Sequence, residues 1–162
     1  MDVDEFKTTI IYIGKGSDNR KMFHIGEAKY HLDYHVIPNK KSKQIIKVWE
    51  NGNGIVIQQI YNDSNHYVAL CRENAMIRAA KPNLANIRNG SSYGIMKDQW
   101  TKNEILDYGD SLLYYAFKKC IIEQPTPYLS HHAMSKKKHK PTDFIKSKYE
   151  YNGILELFLE LN

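Results

Sequence analysis

IIYIGKGSDNRKMFH, residues 10–24, is where the chain changes from one kind of structure to another. Thr8 to Ile13 is an apolar, β-branched run that predicts a strand. The run breaks at Gly14-Lys15-Gly16, and Asp18 is placed to cap a helix continuing to about Tyr34, with Pro38 closing the next loop. On that helix Arg20 and His24 are four apart and share a face. Backbone N–H groups in a glycine turn ahead of a helix suit an anion. Arg20 adds a planar, permanently charged fork that matches phosphate, and His24 can move a proton near neutral pH. With Tyr12 and Lys15 these residues make a compact polar cluster. Glu27 and His31 continue the same face, and a merely solvated surface helix would carry such a stripe as well. Gly14-x-Gly16 has neither the Walker spacing nor the full dinucleotide fingerprint.

Working outward, Lys41 to Asn51 predicts a second helix, with Ile45, Ile46 and Trp49 on one face and Asn51-Gly52 as its stop. Ile55 to Tyr61 predicts a second strand. Asn65 to Ala80 predicts a helix whose stripe is Ala69, Leu70, Met76, Ile77 and Ala80. Asn83 to Gly94 has loop composition. Thr101 to Ile122 predicts a long helix opening on a Thr101/Glu104 capping box and ending before Pro125 and Pro127. Residues 124–148 read as irregular and basic. Gly153 to Leu161, GILELFLEL, is expected as a short helix docked on the body. The order β, α, α, β, α, α, α predicts an α+β fold with a small sheet.

Two downstream polar residues stand out. Glu73 falls on the apolar stripe of its helix, and a carboxylate there is costly unless paired, capping backbone or bound to a metal. One carboxylate can hold Mg²⁺ when phosphate oxygens and water complete the shell. Asn86, in the following loop, could orient a phosphate or a water, or serve the turn alone. His131, His132 and His139 have no metal-spaced partners and are expected to be solvated or to face phosphate.

The 162 residues suffice for one domain with a real core. No apolar run approaches the ~20 residues that cross a bilayer, so no membrane partner is expected. MDVDEFK lacks a signal-peptide core, and Cys71 and Cys120 lack a CxxC partner. An intracellular setting is expected, cytoplasmic, or nuclear in a eukaryote. The net charge of +5 is local: residues 131–148 hold six lysines and one aspartate, and the remainder is neutral. Such a patch favours a polyanion, though a lysine tail can also serve solubility alone.

Tyr12-Ile13-Gly14, then Arg20, His24, Glu73 and Asn86 in that order, resemble the GIY-YIG endonuclease superfamily. The branch found in ankyrin-repeat and LEM-domain nucleases is closest. Its YIGKG-type turn and following helix are matched by Arg20, His24, Glu27 and Ala28. KSKQIIKVWENGNGIVI and RENAMIRAAKPNLANIRNGSSYG also look like that branch. The resemblance spans roughly residues 8–95. It implies a small, mainly antiparallel sheet flanked by helices, and metal-dependent hydrolysis of phosphodiesters in DNA; the sequence does not exclude RNA.

By the same resemblance Tyr12 lies near the attacking water, Arg20 stabilises the phosphorane-like charge, and His24 assists proton transfer or binds phosphate. Glu73 holds a single Mg²⁺ or Mn²⁺, and Asn86 positions the site. Lys15, Lys21, Lys136, Lys137, Lys138 and Lys140 are candidate nucleic-acid contacts. The family's first motif tyrosine sits on the strand before YIG, and MDVDEFKTT contains no tyrosine. Tyr12, His24 or Tyr93 would take over as general base, another segment would replace the strand, or the chain is a binding module without catalysis. The expected organisation is a nuclease core at 1–95 and a helical extension at 96–162, packed as one domain.

Overall fold

The computed structural model describes residues 1–16, 20–80, 82, 84–122, 129–134 and 153–161. The expected α+β architecture is present: a three-stranded antiparallel sheet with helices on both faces. Helix α1, Val3–Thr9, precedes the first strand and is closed by a capping box between Asp2 and Glu5. Strand β1 is Ile10–Gly16, later than the expected Thr8–Ile13, because α1 keeps Thr8 and Thr9 helical. Helices α2 (Arg20–Asp33) and α3 (Lys40–Glu50) follow. Asn39 caps α3 by accepting from the Ser42 N–H at 2.9 Å. Gly52 at φ +81° turns the chain out of α3 toward β2, Gly54–Ser64.

Helix α4, His66–Ala80, leads through the expected loop into a short turn, α5 (Ile95–Asp98), and then α6, Lys102–Ile122. The Thr101/Glu104 box forms as its spacing predicts, with the Glu104 carboxylate accepting from the Thr101 N–H at 2.7 Å. Gly109 lets α6 lie against α4, since a Cβ there would stand 2.2 Å from the Ala75 carbonyl oxygen. Element α7 is one turn, His131–Met134. His131 stays about a third exposed. It bonds Asp33 at 2.9 Å and packs against Trp49.

Gly153–Leu161 is not the expected docked helix. It is strand β3, and it lies in the middle of the sheet, in the order β1-β3-β2. Gly14 pairs with Glu156 and Gly16 with Ile154 on one side, and Val56 pairs with Leu159 on the other. The glutamates at 156 and 160 recur at a spacing that satisfies a helical face and a strand face alike, so periodicity alone could not separate the two. A run of nine apolar-rich residues is strand length, and a central strand covered on both faces has such a composition.

The sheet divides two cores. Phe6, Ile10, Ile13, Val56 and Ile60 join α4 and α6 on one face. Ile11, Ile55 and Ile57 join α2 and α3 on the other, around Ile25, Ile45 and Trp49. Along β2 the alternation of Ile55 and Ile57 against Val56 and Ile60 is the period of two that a doubly covered strand requires. β1 breaks the period with an irregularity between Ile10 and Tyr12. Tyr12 is thereby brought to the α2–α3 side beside Ile11.

Candidate active site

The outer edge of β1 carries the site. An edge strand leaves alternate backbone groups unpaired, and here they are taken up by residues from far along the chain. The Ile11 carbonyl accepts from the Ala85 N–H at 2.7 Å. The Asn86 side chain bonds both backbone groups of Ile13, accepting from its N–H at 3.0 Å and donating to its carbonyl at 2.7 Å. Glu73 reaches across from α4 to accept the Lys15 N–H at 3.1 Å. Glu73 and Asn86 therefore fasten the strand that carries Tyr12, Gly14 and Lys15. For Glu73 this answers how a half-buried carboxylate on an apolar stripe is tolerated: it caps backbone.

On the sheet face toward α2 and α3, the Tyr12 ring folds back over Gly14. A Cβ at position 14 would meet Tyr12 Cε1 at 2.5 Å and the hydroxyl oxygen at 2.7 Å. Positions 12 and 14 point the same way on a strand, so this ring position needs glycine two residues on. His24 from α2 meets the Tyr12 ring edge-on, with centroids 5.4 Å apart, and Phe23 packs against His24 in turn. Lys41 at the start of α3 completes the cluster. Its Nζ is 3.5 Å from the Tyr12 ring centre and 3.0 Å from His24 Nε2.

Of the residues expected from sequence, the structure brings Tyr12, Lys15, His24, Glu73 and Asn86 to one end of β1. Arg20 and Lys21 open α2, four and three residues before His24. Lys136, Lys137, Lys138 and Lys140 lie outside the described residues. Tyr93 packs against Tyr67, with its backbone N–H on Cys71 Sγ. Lys41 went unnoticed in the sequence. Nothing in its own spacing marks it, and only the packing of α3 on α2 brings it to His24.

No group of three or more His, Cys, Asp or Glu side chains is gathered for a metal among the described residues. The half-buried Glu73 carboxylate, whose Oε1 accepts the Lys15 N–H, fits a hard divalent cation completed by phosphate oxygens and water. It does not fit a zinc cage. Among the described residues no helix is long and apolar enough to cross a membrane.

Comparison with known proteins agrees with this arrangement. The chain is 33% identical over 129 residues to the ankyrin repeat and LEM domain-containing protein 1 homolog of Caenorhabditis elegans, across 76% of its own length. It spans only 18% of that relative. No solved structure matches. The family match covers residues 1–135, so it begins ahead of the Thr8 expected from the motifs and runs past residue 95 through α6. With the YIG strand, the helix behind it and Glu73 and Asn86 on its edge, the chain belongs to the LEM-3-like GIY-YIG domain family.

Proposed function

We propose that the protein is a metal-dependent endonuclease that hydrolyses phosphodiester bonds in DNA. Family membership gives the nuclease-type function and a nucleic-acid substrate; the site supports the finer reading. The observation that carries it is the meeting of two motif halves far apart in sequence. Glu73 and Asn86 bond the backbone of Lys15 and Ile13, across separations of 58 and 73 residues, while Tyr12 and His24 pack together on the same strand.

Hydrolysis forms one P–O bond to water and breaks another. The water gives up a proton, and the leaving oxygen takes one. His24 would accept the first proton, with the Tyr12 ring, turned over Gly14, as its neighbour. Arg20, four residues before His24 in the sequence, would stabilise the phosphorane-like charge. A divalent cation on Glu73, when bound, would neutralise charge on the phosphate. The basic segment supports DNA as partner. Its six lysines against one aspartate would draw a polyanion.

A second reading, a binding module without catalysis, draws on one observation. The strand beside β1 places Phe158, not a tyrosine, opposite Tyr12 in the register. One experiment separates the two readings. Wild type and Glu73→Ala are incubated with plasmid, branched DNA and RNA, in Mg²⁺ and in chelator. The expected result is Mg²⁺-dependent cutting of DNA by wild type and none by Glu73→Ala, with binding retained. Undiminished cutting by Glu73→Ala removes Glu73 from the mechanism. Salt-sensitive binding without any cutting by wild type establishes the binding module.

A further inference from the structure

Lys41 sits where three elements meet. Its Nζ lies 3.5 Å from the centre of the Tyr12 ring, 3.0 Å from His24 Nε2 and 3.3 Å from His24 Nδ1. The Tyr12 and His24 rings touch each other, with centroids 5.4 Å apart. β1, α2 and α3 thus contribute one group each to a closed triangle. An ammonium has three donors and no acceptor. Of the two ring nitrogens beside it, one can accept from the ammonium only when the imidazole is neutral. An imidazolium would set donor against donor and charge against charge. The tyrosine face is a favourable seat for the same ammonium, which gives Lys41 a reason to stay.

We propose that Lys41 is a positioning residue of this site: its ammonium holds the His24 imidazole in the neutral, proton-accepting form and seats it against the Tyr12 ring. The inference rests on the hydrolytic reading above, in which the attacking water must lose a proton. A neutral imidazole takes that proton and an imidazolium cannot. The titratable groups described beside His24 are Tyr12 from β1 and Lys41 from α3, with Glu27 one turn on along α2 itself. The Glu73 carboxylate from α4 reaches the same strand at Lys15, where it accepts the amide. Lys41 is the cation that stands in hydrogen-bond contact with the ring. No proton is transferred to or from Lys41; it sets which form of His24 waits beside the substrate.

The test uses the full chain as wild type, Lys41→Met and Lys41→Arg, with Lys41→Gln in reserve should the methionine variant fail to fold. The ¹⁵N shifts of the His24 ring, followed against pH, report its protonation without any need for substrate. In Lys41→Met the His24 midpoint should rise by about 0.5–1 pH unit, because a neighbouring like charge has gone. Lys41→Arg should hold it near the wild-type position. Cleavage by Lys41→Met should lose about tenfold or more in kcat with little change in KM. The acid limb of its rate profile should move with the His24 midpoint, and Lys41→Arg should recover much of the rate. A His24 midpoint unmoved in Lys41→Met overturns the proposal even if that variant cuts slowly, since lost packing alone lowers a rate without moving a titration. If wild type cuts no nucleic acid, the hydrolytic reading fails, and the ring shifts still decide whether Lys41 holds His24 neutral.

Discussion

Gly14 and Tyr12 explain each other. The tyrosine ring occupies the space where any side chain at position 14 would begin, with contacts as short as 2.5 Å to a Cβ. Gly14→Ala is therefore expected to turn Tyr12 off His24 while leaving the remote core intact. Cleavage should fall about tenfold or more, measured by steady-state rates, with melting temperature little changed. Glu73 has two tasks that a single substitution can part. Glu73→Gln keeps an oxygen for the Lys15 N–H but loses the charge a cation needs, so it should unfold like wild type in urea and still lack Mg²⁺-dependent cutting. Asn86 is committed to Ile13 through both ends of its amide. Asn86→Ala should cost roughly 1–3 kcal/mol by leaving backbone groups unpaired, read from the urea midpoint.

The ordered set Tyr12, His24, Glu73 and Asn86 was legible through its resemblance to the GIY-YIG pattern; taken singly, these residues fit a solvated helix face, a core edge or a turn as well. What Glu73 and Asn86 bond was not legible, since a backbone edge has no side-chain signature. Lys41 was invisible for a related reason. A lysine at the start of a helix is ordinary, and its partners come from two other elements.

At the scale of elements, α2, α3, β2, α4 and α6 were readable within a few residues, through stripes, caps and stop signals. Two were not. α1 is seven residues long, too short to show a period, and its Asp2/Glu5 box passed as acidic composition. β3 was misread because its two glutamates fit both periods. A third feature joins elements that the sequence keeps apart. His131 in α7 bonds Asp33 at the end of α2 and lies on Trp49 of α3.

Burial raises the Asp33 carboxyl, but hydrogen bonds from Lys29 and His131 outweigh it, so the net shift is below the ordinary value. A depressed carboxylate contributes stability above its unfolded value, near 4, and loses it as pH falls through the lower folded value. The contribution is small, because both partners are about a third exposed. Trp49 fluorescence should therefore respond to acidification below about pH 4, and Asp33→Asn should remove that response.

The whole molecule depends on its last strand. Among the described residues β1 and β2 make no ladder with each other; each forms its ladder with β3, and β2 adds a single bridge from Ile55 to Leu129. Segments 1–95 and 153–161 therefore share one sheet. Residues 1–152 expressed alone should lack a cooperative unfolding transition, as followed by circular dichroism in urea. A fragment that unfolds as sharply as the full chain would contradict the central place of β3. The run of elements from β1 to α4 was readable at this scale, but the sheet order was not, because pairing partners depend on which edges remain when every helix has packed.

That sheet order has a consequence for biosynthesis. On the ribosome β1 and β2 are made early, and neither can find its neighbour until residues 153–161 have emerged. Every strand-to-strand contact closes a long loop, which slows folding. Until then the nascent chain carries two apolar strands with open edges, the state in which chaperones engage a polypeptide and in which two nascent copies can pair wrongly. The sheet of this nuclease fold is completed only when β3 slots between strands made about ninety residues or more before it.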